Sequence, residues 1–123
     1  MKLDYDALLE LVSEMGFRLM FSGAEIYRVE ESISRLLQAY GAERGEVFAI
    51  PNCIIVSLTS PMGKPMTQIR RMPNHGTDIY LLERYNDLCR SLCRDTPPFE
   101  EALAKMREIE RTHKVYSLPV QLL

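Results

Sequence analysis

The densest concentration of chemically competent side chains lies early in the chain, where Glu25, Tyr27, Arg28, Glu30 and Glu31 fall within two helical turns. Carboxylates, a phenol and a guanidinium so close together could bind a zwitterion or relay a proton. An ordinary account competes with this and is the stronger: acids favour a helix N-terminus because of its dipole, and Arg28 sits at helical spacing from Glu25 and Glu31. Arg70 and Arg71 end a strand-like run, where successive side chains point to opposite faces. At most one of them faces solvent freely, and the other needs a partner such as Glu30, a membrane domain or an anionic solute. With Asp78, which opens a later helix, the residues Glu25, Tyr27, Arg28, Glu30, Arg70 and Arg71 make up the candidate polar cluster.

The thiols and imidazoles give weaker signals. Cys89 and Cys93 stand four apart on a helical pattern, with His75 upstream. A structural zinc site needs four ligands in tetrahedral geometry, whereas Cys89 belongs to the apolar stripe of Leu88 and Leu92. A core or helix-surface cysteine is the expectation, with no metal and no cofactor. Cys53 paired with His75 or His113 would be an activated nucleophile only if a base lay beside it. Nothing in the spacing joins them, and Cys53 opens an apolar strand, so burial is expected. Glycine-rich phosphate loops, HExxH helices and GxSxG elbows are absent, which removes the common motif-borne enzymes. A hydrolase using Glu25, Tyr27 and Arg28 with Cys53 or His75 is the minority alternative to a non-catalytic domain, and a solute sensor in which Glu25 and Arg70 clamp the ammonium and carboxylate of an amino acid is a second.

Hydrophobic period defines the elements that carry these groups. Leu8, Leu11, Val12, Met15 and Leu19 recur at helical spacing, with Glu10, Glu14 and Arg18 between them, and predict an amphipathic helix over 4–21. Ser22-Gly23-Ala24-Glu25 has the form of a capping box and starts a second helix there. That helix runs through Ile26, Val29, Ile33, Leu36, Leu37 and Tyr40 to Gly41, placed to leave it in a left-handed conformation. The two helices pack as a hairpin. β-Branched and aromatic enrichment over 46–50, 54–59 and 66–71, broken by Pro51-Asn52 and by the segment 61–65, predicts a three-stranded antiparallel meander. A third helix over 78–94 places Ile79, Leu82, Tyr85, Leu88, Cys89 and Leu92 on one face. Thr96 as N-cap and proline in the first turn introduce a short fourth helix over 99–112. The order ααβββαα belongs to the α+β class.

A length of 123 residues suits one domain. With 15 Lys plus Arg against 17 Asp plus Glu, the net charge of -2 gives no pull toward nucleic acid. Three cysteines and no secretory leader fit a reducing, cytoplasmic setting. No run approaches the ~20 apolar residues of a spanning helix, so the chain as given reads as soluble. The last nine residues turn apolar and stop, which reads as a truncation: residues 1–114 are expected to form the domain, and 115–123 a juxtamembrane segment before a first transmembrane helix. The exposed edge of a three-stranded sheet invites pairing, so a homodimer is a further expectation.

The run Gly23-Ala24-Glu25-Ile26-Tyr27-Arg28-Val29-Glu30 resembles the GAETYRVE-like signature of the N-terminal domain of threonine/serine exporters. Agreement continues in order: Val47-Phe48 leading to Pro51, the strand from Ile54 to Leu58, Gly63-Lys64-Pro65, Ile69-Arg70-Arg71, Gly76-Thr77-Asp78 before a helix with Leu81, and Phe99-Glu100-Glu101-Ala102-Leu103. The resemblance covers about residues 5 to 118. Ile26 replaces a usual threonine, Asn52-Cys53 a common Thr-Gly pair, and Thr77 an aliphatic residue. The resemblance implies a regulatory or assembly domain on the cytoplasmic face of the bacterial inner membrane. Its partner is a membrane domain of about ten spans, on the same chain or another, that uses the proton gradient to export threonine, serine or, in some relatives, dicarboxylates.

Overall fold

The computed structural model describes the backbone of residues 3–122 and the side chains of residues 3–115. The chain runs α1 (Tyr5–Phe21), α2 (Ile26–Ala39), β1 (Gly45–Ile50), β2 (Cys53–Thr59), β3 (Pro65–Arg71), α3 (Ile79–Asp95) and α4 (Phe99–Leu122). This is the expected ααβββαα order of an α+β fold. Asp4 caps α1 by accepting from the Ala7 amide at 3.0 Å, which satisfies one of the donors left open at a helix start.

The strands form one antiparallel sheet in the order β1-β2-β3. Strand alternation sends Val47 and Ala49, then Ile54, Val56 and Leu58, then Met66, Gln68 and Arg70 to the face that packs on α1 and α2. The α3–α4 pair lies on the other side of α1, so among the described residues no part of the sheet meets α3 or α4. α1 and α2 therefore form the middle of three layers, and Leu8, Leu11, Val12 and Met15 along α1 are wholly buried. Its closest approach is at Gly16, where a Cβ would lie 2.4 Å from Ile54 Cδ1.

Both helices of the hairpin end in Schellman motifs. At α1, Ala24 N–H donates to Leu19 O and Gly23 N–H to Met20 O, with Gly23 at φ +103. At α2, Ala42 N–H donates to Leu37 O and Gly41 N–H to Gln38 O, with Gly41 at φ +88 as expected. The first motif consumes the residues read as a capping box. Ser22 is the C-cap of α1, and α2 starts at Ile26 behind Glu25, whose side chain makes no capping bond.

Three other expectations change. Thr96 does not cap α4 but leaves α3 at φ 39, its amide bonded to Leu92 O, so both prolines precede α4 rather than filling its first turn. α4 is not short: no glycine or proline intervenes between Phe99 and Pro119, and the helix continues for 24 residues. The segment 115–123 therefore extends α4 as far as Leu122. Cys53 is half-buried rather than buried, because its register position puts it on the sheet face turned away from α1. The β1 edge is partly occupied, since Glu30 of α2 accepts from the Ala49 amide at 3.0 Å.

Candidate functional site

The packing of α3 and α4 across α1 leaves a cavity of about 780 Å³. Its walls are the outer turns of α1 (Phe17, Phe21), the segment between β3 and α3 (Pro73, His75, Thr77), the start of α3 (Asp78, Leu81, Tyr85) and the distal part of α4 (Glu110, His113, Lys114). Phe17 and Phe21 stack with ring centroids 5.9 Å apart, and His75 tilts over Phe21 at 5.5 Å. The result is an apolar wall with polar groups at its base and rim, the usual build of a small-molecule site.

The base is a network centred on Glu14. Its two carboxylate oxygens take separate arginines, Arg18 Nε at 2.6 Å and Arg70 Nη1 at 3.0 Å. Arg18 also donates to Tyr85 Oη at 2.8 Å and to Met106 O at 3.2 Å, so one guanidinium joins α1, α3 and α4. The Arg70 guanidinium lies 4.4 Å from the centre of the Phe17 ring, within cation–π range. Burial alone would raise the Glu14 carboxyl, but its bonds to Arg70 and Arg18 outweigh that and hold it below the ordinary carboxylate value. For Arg18, burial pulls downward and the bonds to Glu14 and Tyr85 carry it above the ordinary value. Burial pushes the Tyr85 phenol up, partly offset by Arg18.

The rim is held by Asp78. Its Oδ1 caps α3 by accepting from the Leu81 amide at 3.1 Å, while Oδ2 meets His113 Nε2 of α4 at 2.9 Å. Asp78 is fixed from below as well, because its own amide donates to Ser22 O at 3.0 Å. One residue, through its amide and its carboxylate, thus ties the start of α3 to the end of α1 and to the distal half of α4.

The candidate polar cluster is distributed over several places. Asp78 is at the cavity rim. Arg70 reaches the base through Glu14, so its partner is not Glu30, whose carboxylate is held at the β1 edge, and it does not meet Glu25 to form the expected amino-acid clamp. Glu25 and His75 share a smaller cleft of about 290 Å³ beside Gly23 and Pro51. Tyr27 and Arg28 are exposed on α2 and join Glu31, Arg35, Cys89 and Cys93 in a separate groove. Arg71 is exposed on the outer sheet face. No hydrogen bond among the described residues joins a cysteine to an imidazole, and no group of three or more His, Cys, Asp or Glu among them could hold a metal ion.

Glu14, Arg18, Tyr85 and His113 complete the site without having stood out as a group in the sequence. The available signal was Glu14 and Arg18 at i,i+4 on a helix otherwise committed to the core. Such a pair is ordinary on a surface and notable only where the neighbours are buried.

A protein-family model described as "Putative threonine/serine exporter" matches residues 10–123. No curated protein and no solved structure matches the chain.

Proposed function

The chain belongs to this threonine/serine exporter family, and from that premise we propose that it is the solute-responsive regulatory domain of an exporter driven by the proton gradient. The exported solute is threonine, serine or a related small metabolite such as a dicarboxylate. In this reading residues 1–114 lie at the cytoplasmic face of the bacterial inner membrane, and 115–123 lead toward the membrane part, on this chain or a partner. No helix among the described residues is long and apolar enough to cross a membrane, so transport itself falls to that other part.

The observation that carries the reading is the division of the cavity walls. α1 and α3 are fixed in the core, whereas α4 is anchored by Ala102 and Met106 in its first half and meets the start of α3 at the rim through His113, which pairs with Asp78 and lies 5.9 Å from the Tyr80 ring. A solute entering there meets carboxylates at Asp78 and Glu110 for an ammonium group, and Lys114 and the His113 imidazole for a carboxylate. Its affinity differs between positions of α4 that keep or break the Asp78–His113 contact. A ligand shifts an equilibrium by that difference, and α4 is the element that passes the change along the chain.

The test is export from vesicles containing the intact exporter. Asp78→Asn and His113→Ala are expected to change how the export rate depends on internal threonine or serine while leaving saturated flux within about twofold, since a coupling term is commonly 5–150-fold in affinity. Concentration dependence identical to the unsubstituted protein for both variants contradicts the proposal.

A further inference from the structure

The sheet face turned away from α1 carries three full rows set by the strand register, Glu46, Ser57 and Thr67; Phe48, Ile55 and Ile69; and Ile50, Cys53 and Arg71, with Thr59 and Pro65 in a fourth row beyond the first. No helix among the described residues packs on it. Phe48 is 57% exposed, Ile69 59% and Ile50 41%, so the middle row is an open apolar band across all three strands. The two charges stand at diagonally opposite corners, and neither Glu46 nor Arg71 makes an ion pair among the described residues. At the β1 edge, Glu46, Phe48, Ile55 and Ser57 join Gly45, Val47 and Ser34 of α2 around a shallow groove of about 400 Å³. Contiguous exposed apolar surface with a polar rim marks an interaction site.

We infer that this face docks against the same face of a second copy of the chain. The arrangement is self-complementary under one particular two-fold axis. Rows are about 7 Å apart along the strands and columns about 4.8 Å apart across them. Turning a second copy by half a revolution about an axis through Ile55 at about 45° to the strands, slanting from the Ile50 side toward the Thr67 side, brings the partner's Arg71 to within about 3 Å of Glu46 in projection on these spacings, and the partner's Glu46 likewise to Arg71. The same operation sets Ile55 against its own counterpart. It also lowers the partner's Ile69 between Ile55 and Ser57. Strands of the two sheets then cross at about 90°, one of the two established ways for sheets to pack. Axes parallel or perpendicular to the strands instead put Glu46 over Thr67 or over Ile50 and leave both charges unpaired. Arg44, whose carbonyl accepts from the Thr59 amide, is aligned with Thr59 and Pro65 in the fourth row, which this two-fold operation leaves beyond the partner's sheet.

Three strands by three rows project to roughly 300 Å², below the ~800 Å² per partner of a stable complex. The association is therefore weak in free solution and is strengthened wherever two copies are held close together. This pairing uses the face rather than the β1 edge, where Glu30 already holds the Ala49 amide.

Sedimentation equilibrium of the 123-residue chain from about 10 µM to about 1 mM, a range suited to so small an interface, is expected to show the average mass rising from monomer toward dimer. Ile69→Lys is expected to weaken association at least tenfold, with circular dichroism and thermal midpoint unchanged because the residue is exposed. Glu46→Arg and Arg71→Glu are each expected to weaken it, and the two together to restore it. A monomer throughout the range overturns the inference, as does association that ignores Ile69→Lys or a double charge reversal that fails to rescue. A chain that stays monomeric but pellets with anionic phosphatidylglycerol vesicles through Ile69 overturns it too, and assigns the face to a lipid surface.

Discussion

Replacing Glu14 by alanine strands two part-buried guanidinium groups at once, and the structure allows the consequence to be worked through. The Glu14 side chain is 22% exposed, Arg18 14% and Arg70 29%. Removing one member of a fully buried pair costs about 3–5 kcal/mol, and an exposed pair is worth about 0–1 kcal/mol. Here Arg18 keeps Tyr85 and the Met106 carbonyl, and Arg70 keeps the Phe17 ring, so an intermediate loss of about 2 kcal/mol is expected. An unfolding entropy near 2.1 cal/mol/K per residue turns that into a fall of about 8 °C in Tm for a chain of this length. Glu14→Gln, which keeps shape and one acceptor, should lose less. The pH dependence fixes the cause. Because the folded carboxyl is held below its ordinary value, its contribution is present above the unfolded pKa and disappears as pH falls through the folded one. Urea unfolding at pH 7 and below pH 4 should show the gap between the unsubstituted protein and Glu14→Ala closing on acidification. A loss under about 0.5 kcal/mol at pH 7, or a gap constant with pH, refutes the assignment of Glu14 as the hub.

Other sites give sharper single readouts. Gly23→Ala places a Cβ within 2.9 Å of the Thr77 backbone at φ +103, so a loss of about 2–4 kcal/mol in urea unfolding is expected. Ser13 is fully buried with its hydroxyl unpartnered, and Ser13→Ala should raise stability by about 1 kcal/mol by removing an unsatisfied group. The Tyr40 hydroxyl donates to Pro97 O at 2.6 Å, and its phenol is pushed up to about 12, chiefly by burial. Tyr40→Phe should cost about 1 kcal/mol. With the folded pKa raised, the ionisation-linked part of stability is complete below pH 10 and is lost toward pH 12, which alkaline spectrophotometric titration follows. The Cys93 thiol is lowered to about 7, first by the neighbouring Cys89 thiol, whereas proximity to Cys93 and burial push Cys89 up, its Sγ–H directed at Ser32 O at 3.9 Å. Iodoacetamide should therefore modify Cys93 with a midpoint near neutral pH while Cys89 stays protected until unfolding.

The element order was readable because periodicity separates cleanly here: a 3.6-residue stripe in α1, α2 and α3 and a two-residue alternation in β3. Local punctuation was harder. Ser22 and Glu25 have the spacing of a capping box, but Gly23 has the freedom to take a positive φ, and the Schellman bonds to Leu19 and Met20 close before a cap can form. Thr96 was ambiguous in the same way, since a residue between a helix and two prolines can end one element or begin the next. The site was the least legible part. Its base joins Glu14 to Arg70 across 56 positions and Arg18 to Tyr85 across 67, and such pairings follow from the three-layer packing rather than from any local pattern. Asp78 was named for its place at a helix start, but its partner His113 sits on a stretch of α4 that had been taken to end at residue 112.

Titration calorimetry of the 123-residue chain with millimolar threonine, serine and succinate, the last as a plain dicarboxylate, bears most directly on the claim that the cavity between α1, α3 and α4 reads solute. Saturable heat with at least one of them is predicted, together with a rise in Tm that grows with concentration as linkage requires, and with both signals reduced in Asp78→Ala and His113→Ala. Absence of heat and of any thermal shift with all three, or binding indifferent to both substitutions, contradicts it.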